Sequence, residues 1–468
     1  MSTFSALNAA TTALWAQRRA LDVTGQNIAN VNTEGYSRQR ADLQAIGGSP
    51  IPAFYSTSPG IGAGVDAEGV LRIRDAFLEG RGHTEHGNSA RLAAETDAYT
   101  QVESSFREPG DTGIQSLMGE MWAAWGDVDN GPHELASRGQ VLESLKTLVG
   151  GVQFSYASMG TQWEQTLDNL GVLVSDVNKA AASVAQLNTA IQRATQSGLP
   201  ANDLTDQRDV LVMKLAEQVG ATVRPGADGM VDVVVGGMSL VSKGTASELA
   251  IAGAMGPDDV TTDPPRLTTA AGGFTVNAGG TAAGQLNALT TIIPGYRADL
   301  DGFAVSLASA INTAHTAGWD LDGNPGVDVL GSSGGPLTAA TLSVVLTSPR
   351  QIAASKLPPV GGVPVLDSSN ADLIGQLRLS TTGPDAKYRA MIVELGVQAA
   401  VSGRNLGIQQ VITTQVDAAR ESVAGVNLDE EMTNMLSFQH AYSAAGRMVT
   451  AIDETLDILI NRTGLVGR

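Results

Sequence analysis

The sequence predicts a mainly helical, multidomain protein with a β-rich insertion, and three observations lead to this fold class. Both ends of the chain carry long amphipathic patterns of helical period. Around residues 221–280 the pattern changes to the alternation and glycine-rich turns of β-strands. The helical segments are rich in Ala, Leu and Val, and only 4% of the residues are aromatic. We therefore expect long terminal helices that pair like a coiled coil, a central helical bundle domain and small β domains.

The first helix is predicted from large aliphatic residues that recur seven positions apart. These residues are Leu7, Leu14, Leu21 and Ile28. Small or β-branched residues flank this stripe, among them Ala10, Ala13, Ala20 and Val23. The Asn- and Gly-containing stretch 30–35 ends the helix, because these residues favour turns. The following stretch, 44–74, contains many Gly and Pro residues and is predicted to be extended, with short hairpins.

Helical periodicity resumes between residues 88 and 220 and is strongest at 163–198. Gly198 and Pro200 end that helix, and Asp203 is expected to cap the next one. Strands are predicted at 222–224, 231–235 and 239–241. A helix follows at 285–318, with Pro294 near its start, and two long helices at 386–423 and 428–461 close the chain.

The last helix has the most regular apolar pattern, with spacings that alternate between three and four residues. Its stripe includes Met435, Phe438, Tyr442, Val449, Ile452, Leu456 and Leu459. Asn427 can cap its start, and Asp429, Glu430 and Glu431 lie in the first turn, where the helix dipole favours anions. Both ends of the chain are therefore predicted to be single amphipathic helices.

These patterns divide the chain into four predicted domains. They are a terminal helical assembly domain (1–38 with 424–468), a helical rod-like domain with an extended loop (39–220 with 281–324 and 371–423), a β-rich domain (221–280) and a loop-rich insertion with short strands (325–370).

The terminal stripes favour assembly with other copies of the chain. Burying the four heptad residues of the first helix offers roughly 6–12 kcal/mol in total. Ordering about 30 residues costs on the order of 1–2 kcal/mol each in backbone entropy, so the helix needs partners. A hairpin with the last helix still leaves apolar surface exposed, which neighbouring subunits can cover. Packing into an intramolecular bundle is the alternative that periodicity leaves open.

Composition excludes several other functions. The net charge of −19 and the lack of a basic run argue against nucleic-acid binding. The chain has no Cys, so disulfides and thiolate metal sites are excluded. The N-terminal sequence lacks the charged start and apolar core of a secretory signal, and no apolar stretch is long enough for a membrane span. We expect no cofactor and no membrane insertion.

Short sequences at both ends resemble the flagellar axial proteins. Residues 27–39 (NIANVNTEGYSRQ) are similar to the N-terminal signature of rod, hook and hook-associated proteins, and the YSRQ ending resembles the hook-associated protein 1 family most. Residues 422–431 (SVAGVNLDEE) are similar to the C-terminal signature, and the stretches 206–209 and 320–326 also resemble this family. Glu34 departs from the pattern, since many members have Pro there. The signature residues are Asn27, Asn30, Thr33, Gly35, Tyr36, Asn427, Leu428 and Glu430.

The resemblance implies a structural subunit that joins the hook to the filament of the bacterial flagellum and is not an enzyme. The implied location is extracellular, reached through the flagellar type III export channel without a cleaved signal peptide. The implied partners are further copies of the chain in a ring, the hook protein, a second junction protein of the hook-associated protein 3 type and an export chaperone at the C-terminal region. Another axial protein, of the hook or distal rod, is the nearest alternative.

Three motifs suggest other chemistry and have simpler explanations. Residues 331–335 match the G-x-S-x-G pattern of hydrolases around Ser333, but Pro336 follows in a Gly/Ser loop. Asp320, Asp322 and Asn324 have the spacing of a calcium loop, but the conserved glycine and glutamate positions of that loop are not matched. The stretch 83–86 holds two His and one Glu, which we assign to a solvated loop rather than a metal site. A hydrolase using Ser333 remains a remote alternative.

Overall fold

The structure, a computed structural model, describes residues 3–47 and 62–462. Residues 1–2, 48–61 and 463–468 of the predicted domains lie outside the described residues. The helices are α1 (Thr3–Ala29), α2 (Ala76–Phe106), α3 (Ile114–Asn130), α4 (Leu135–Gln196), α5 (Asn202–Val219), α6 (Gly280–Asn287), α7 (Ile293–Thr316), α8 (Ser369–Gly375), α9 (Pro384–Ala424) and α10 (Leu428–Asp457). The predicted fold class, mainly helical with small β elements, is confirmed.

All the paired strands in the described residues are antiparallel and form small sheets. The strands are β1 (Gln39–Ile46), β2 (Gly64–Arg72), β3 (Thr222–Pro225), β4 (Val231–Val235), β5 (Met238–Ser242), β6 (Thr245–Ala246), β7 (Leu249–Ala252), β8 (Arg266–Thr269), β9 (Leu330–Ser332) and β10 (Leu342–Val344). Strands β3 to β6 form one four-stranded meander, while β1–β2, β7–β8 and β9–β10 are two-stranded pairs. The β1–β2 pair is an antiparallel ladder that includes part of the segment 44–74, which the sequence predicted to be extended with short hairpins.

The longest element is α4, whose 62 residues span about 93 Å. The sequence predicted helix throughout this region but delimited only the second half of α4, because the apolar stripe is clearest after Trp163. The helix ends before Gly198, which has a φ of +74°. The expected cap at Asp203 is wrong: α5 begins at Asn202, Ala201 occupies the cap position without a side-chain hydrogen bond, and Asp203 lies in the first turn.

Helix α2 begins at Ala76, well before the predicted start at residue 88, and Asp75 caps it through the backbone N–H groups of Phe77 and Leu78. His83 and His86 therefore lie on a helix, and their assignment to a solvated loop is wrong. Glycines in this first part hide the helical period from sequence reasoning. Gly87 allows close packing, because a Cβ atom there would lie 2.9 Å from the carbonyl oxygen of Ala216 in α5.

One hydrophobic cluster of buried residues connects α2 to α9 and includes the β elements between them. Its largest fully buried side chains include Trp125, Trp163, Tyr388, Phe106 and Phe303. Buried residues of β4 and β8, such as Val233 and Leu267, belong to the same cluster. Within the described residues no member of the cluster comes from α1 or α10, so the terminal helices lie outside the main core.

Candidate assembly surface

Helices α1 and α10 pack against each other in antiparallel orientation. The end of α1 meets the start of α10, where Asn27 Nδ2 donates a hydrogen bond of 3.0 Å to Glu431 Oε2 across 404 positions of sequence. Two patterns that sequence analysis found at opposite ends of the chain therefore form one two-helix element. This element also packs on the β1–β2 pair through α1.

Most residues predicted for the assembly stripe are half-buried in the single chain. They are Leu7, Leu14, Leu21, Ile28, Met435, Phe438, Val449, Ile452 and Leu456. Tyr442 and Leu459 are more open, with 41% and 53% of their surface exposed. Phe438 lines a cavity of about 140 Å³ together with Ala20 and Val23 of α1. The position of the stripes indicates that contact between α1 and α10 covers part of them and leaves their edges exposed.

Small residues make the tightest contacts of α1. Ala10, Ala16 and Ala20 are each at most 2% exposed, whereas the heptad leucines are only half-buried. Sequence analysis had placed Ala10 and Ala20 at the flank of the stripe, and the structure makes them, together with Ala16, some of the most buried residues of α1. Small side chains allow the backbone of α1 to approach its neighbours, and the larger leucines then lie at the border of the contact.

Asn27 is the centre of the joint between the terminal helices and the rest of the chain. Its Nδ2 donates to the carbonyl oxygen of Gln39 at 2.8 Å as well as to Glu431. Its Oδ1 accepts hydrogen bonds of 2.9 Å from the Tyr36 hydroxyl and from the backbone N–H of Gln39. The side chain is 1% exposed and uses both donors and both acceptor positions of its amide.

Arg38 adds two ion pairs to the joint. Its guanidinium lies 2.7 Å from a carboxylate oxygen of Glu431 and 2.8 Å from one of Glu430. The Glu431 side chain is only 3% exposed, so it depends on Arg38 and Asn27 for the interactions that water would otherwise provide. The backbone N–H of Arg38 also donates to the carbonyl oxygen of Ala424, at the end of α9.

A second cluster of charges ties the same loop to α5. Ser37 donates from its hydroxyl to Asp206 at 2.9 Å, and Arg72 of β2 lies 2.6 Å from that carboxylate. Asp209 receives three guanidinium groups, at 2.8 Å from Arg72, 2.6 Å from Arg74 and 3.1 Å from Arg208. The clusters around Glu431 and Asp209 together anchor the terminal helices to α5.

The electrostatics of the joint favour its charged and hydrogen-bonded form. Burial opposes ionisation of Asp209, but Arg74, Arg208 and Arg72 outweigh it and lower the pKa of this carboxyl below its ordinary value. Burial, reinforced by nearby carboxylates such as Asp206, raises the pKa of Tyr36 to about 12. The Tyr36 hydroxyl therefore keeps its proton and remains a donor to Asn27.

Comparison with known proteins gives matches at both ends and in the middle of the chain. The profile of the flagellar hook-associated protein FlgK helical domain matches residues 99–330, that of the flagellar basal body rod FlgEFG protein C-terminal matches 420–462, and that of the flagella basal body rod protein matches 7–36. The chain is 29% identical to flagellar hook-associated protein 1 of Bacillus subtilis (strain 168), in an alignment that covers 100% of both proteins. The chain is therefore similar over its whole length to the flagellar hook-associated protein 1 family.

A second curated relative and a solved structure show further similarity. Flagellar hook-associated protein 1 of Escherichia coli (strain K12) is 25% identical over 98% of this chain and 99% of its own length. The structure of the flagellar hook junction protein FlgK from Burkholderia pseudomallei has a similar fold, with a TM-score of 0.63 at 16% identity. The similarity covers 74% of this chain and 100% of that one. The resemblance predicted from the signatures is confirmed, and the proteins that the chain is similar to are structural proteins of the flagellum.

The structure brings most residues of the two family signatures to the joint. Asn427 accepts hydrogen bonds from the backbone N–H groups of Asp429 and Glu430, as the sequence predicted for a helix cap. Thr33 donates to Asn30 at 3.1 Å and closes the turn after α1. Gly35 has a φ of +76°, and a Cβ atom there would overlap Val210 of α5. Leu428, in contrast, is 44% exposed.

Sequence analysis did not identify Glu431, Asp206, Asp209, Arg72 and Arg74 as parts of this site. A signal existed for the three carboxylates, because they lie in stretches that resemble the family. Arg72 and Arg74 lie in a segment without such resemblance, and only the β1–β2 pairing carries them to α5.

His86 forms a separate contact between helices α2, α5 and α9. Its Nδ1 lies 3.0 Å from Glu217 and its Nε2 lies 3.0 Å from Asp417, which also pairs with Arg420. Because each ring nitrogen faces a carboxylate, the imidazolium with two N–H donors fits best. Hydrogen bonding to Glu217 and Asp417 outweighs burial and raises the pKa of His86 above its ordinary value.

The remaining motifs of the sequence serve turns and packing. Ser333 is exposed directly after β9, and its N–H donates to the carbonyl oxygen of Thr341. His315 is fully buried: Nδ1 lies 2.6 Å from the Val327 carbonyl oxygen and Nε2 accepts from the Ala353 N–H. Burial lowers the pKa of His315 to about 4. Both ring nitrogens are therefore occupied by backbone groups.

The Asp320 stretch forms a turn after α7. The Oδ1 atom of Asp320 accepts from the N–H groups of Asp322 and Asn324, and Asp322 pairs with Arg350. Across residues 3–47 and 62–462, no group of three or more His, Cys, Asp or Glu side chains is arranged to hold a metal ion. No helix in these ranges is long and apolar enough to cross a membrane.

Proposed function

We propose that the chain is a structural subunit of the junction between the flagellar hook and filament, and that the α1–α10 pair is its assembly element. The observation that carries this proposal is the joint around Asn27 and Glu431. There, signature sequences from opposite ends of the chain orient one helix pair relative to the helical domain. The joint makes the direction of that pair a defined property of the folded subunit.

The helix pair needs further partners to bury its apolar surface. Its residues contribute nothing to the hydrophobic cluster of α2–α9, and large side chains such as Trp15 and Met432 are exposed. Exposed apolar residues on a paired helical element are typical of surfaces that other subunits cover. Neighbouring copies in a ring are the partners that fit the identical, repeated geometry of a junction.

Other partners follow from the family. The proximal face of the ring contacts the hook protein, and the distal face receives a second junction protein of the hook-associated protein 3 type. The subunit reaches this extracellular position through the flagellar export channel, after an export chaperone has bound its C-terminal region. The match of residues 99–330 to the FlgK helical domain supports the junction rather than the hook or distal rod.

The proposal includes no catalytic step. A hydrolase that uses Ser333 needs a base beside the hydroxyl, and the hydrogen bonds of His315 to Val327 and Ala353 leave its ring no free nitrogen. The relatives of the chain are structural flagellar proteins. We therefore assign a mechanical and positional function.

Deletion of the gene tests this function. We expect cells with complete hooks, no filaments and filament protein shed into the medium, and a plasmid copy of the gene should restore the filaments. Electron microscopy of the cells and immunoblots of the medium provide the readouts. Filaments of normal length in the deletion strain would contradict the proposed function.

A further inference from the structure

The side of α1 that faces away from its buried alanines carries an aromatic and basic patch. Trp15 is 69% exposed, although Ala16, its neighbour in sequence, is 1% exposed. Arg18 and Arg19 follow three and four positions later, so they lie beside Trp15 on the helix surface. Both are exposed and neither forms an ion pair within the described residues. We call Trp15, Arg18 and Arg19 the Trp15 patch.

Helix α10 carries an aliphatic and acidic patch on its outer side. Leu428, Met432 and Leu436 recur every four residues and are 44%, 58% and 56% exposed. Glu431 and Ala445, which are buried, mark the covered side of the helix, and Met432 lies about 100° around the helix from Glu431. Asp429 is exposed next to these apolar residues and has no ion-pair partner in the described part of the chain. We call Leu428, Asp429, Met432 and Leu436 the Met432 patch.

The two patches are complementary to each other and not to themselves. The indole of Trp15 suits aliphatic side chains and the polarizable sulfur of Met432, since thioether–aromatic contacts are favourable. Arg18 and Arg19 suit the carboxylate of Asp429. Two Trp15 patches facing each other would instead bring four guanidinium groups together, which is unfavourable.

The patches cannot meet within one chain. Glu431, next to Met432, contacts Asn27, and Trp15 precedes Asn27 by 12 residues of α1. At a rise of 1.5 Å per residue this separation is about 18 Å along the helix pair. Each copy therefore presents one free patch of each kind.

We propose that the Trp15 patch of one copy packs on the Met432 patch of the next copy. The inference rests on the proposed assembly function and specifies its contact. Since the contact joins two different surfaces, it is head-to-tail, and every added copy leaves a new patch free at the end. Closure of a ring or continuation along a helix then depends on the angle that the joint around Asn27 imposes.

Disulfide crosslinking tests this contact directly, because the chain contains no Cys. The probe is a single chain with Trp15→Cys and Met432→Cys, produced as the only copy in cells from which hook–filament particles are isolated. A disulfide requires Cα atoms about 4.4–6.8 Å apart, so these positions cannot react within one chain. After oxidation we expect a ladder of crosslinked multiples on non-reducing gels. Particles that assemble normally but yield no multiples would overturn the proposal.

Single-cysteine chains are the matched controls. Trp15→Cys alone and Met432→Cys alone should give no dimers, and particles assembled from a mixture of the two should give dimers but no higher multiples. Efficient dimers from Trp15→Cys alone would show contact between like patches and would refute the head-to-tail arrangement.

Charge reversal provides a second test that is independent of cysteine. Arg18→Glu with Arg19→Glu, or Asp429→Lys alone, should reduce the number of filamented cells, and the combined variant should restore it. All three residues are exposed, so the subunit itself should fold and be secreted normally. Absence of rescue, with secretion intact, would contradict the contact while the deletion phenotype still supports the junction function. Filaments without the gene would contradict the function itself.

Discussion

Replacement of Asn27 by Ala tests whether the joint holds the terminal helices to the rest of the subunit. The change removes both polar atoms of a side chain that is 1% exposed. The N–H and carbonyl groups of Gln39 and the Tyr36 hydroxyl lose their partners, and Glu431 loses one donor. The Cβ atom that remains cannot replace any of these bonds.

The expected cost follows from these losses. Each buried polar group left without a partner costs about 1–3 kcal/mol, and water entering the loosened joint recovers part of this. We expect the docking of the helix pair to weaken by about 2–4 kcal/mol. This corresponds to a roughly 30-fold to 700-fold increase in the population of the open form.

Hydrogen exchange measured by mass spectrometry locates the effect. Amides of α1 and of the first turns of α10 should exchange faster in Asn27→Ala, while the core helices α3, α4 and α7 keep their protection and their unfolding midpoint. Asn30→Ala is the matched control, because Asn30 bonds only near the helix end, to Gln26 and Thr33. Unchanged exchange in α1, or equal destabilisation of the core, would refute the reasoning.

Three further outcomes are expected. The pKa of His86 is raised in the folded protein, so protonated His86 stabilises the fold. This contribution to the free energy of unfolding should be complete at pH values below the unfolded-state pKa near 6.5, and it should decline as the pH rises through the folded-state pKa. Denaturation across this range should show that decline in the wild type and less of it in His86→Asn. The control His133→Asn alters an exposed residue and keeps His86, so it should show the full wild-type decline. Val449→Asp should weaken the packing of the helix pair by on the order of 1–3 kcal/mol and abolish filament growth. Circular dichroism should show a folded subunit, and immunoblots of the medium should show that it is secreted. Full-length filaments from a secreted variant would show that the apolar stripe is not used for assembly. Ser333→Ala should change the free energy of unfolding by less than about 0.5 kcal/mol and leave motility intact, and a motility defect with normal secretion would reveal a role for this turn.

The long helices could be predicted because their apolar residues recur at a regular helical spacing. The stripe from Met435 to Leu456 identified α10, and the Asn427 cap set its start within one residue. Helix α2 was placed too late because Gly80, Gly82 and Gly87 interrupt its period. Those glycines have local reasons: a Cβ atom at Gly82 or Gly87 would crowd Arg420 or Ala216, contacts that exist only after α5 and α9 have packed.

The functional assignment also has one part that the sequence predicts and another that depends on the tertiary structure. The sequence alone determined the family resemblance, the helical fold class and the amphipathic helices at both chain ends, because signatures and apolar periods are local properties of the chain. Only the tertiary structure decided which face of each terminal helix is covered and which charges form the joint. Burial and ion pairing depend on the three-dimensional distances among α1, β2, α5 and α10, and sequence separations such as the 404 positions between Asn27 and Glu431 contain no information about those distances.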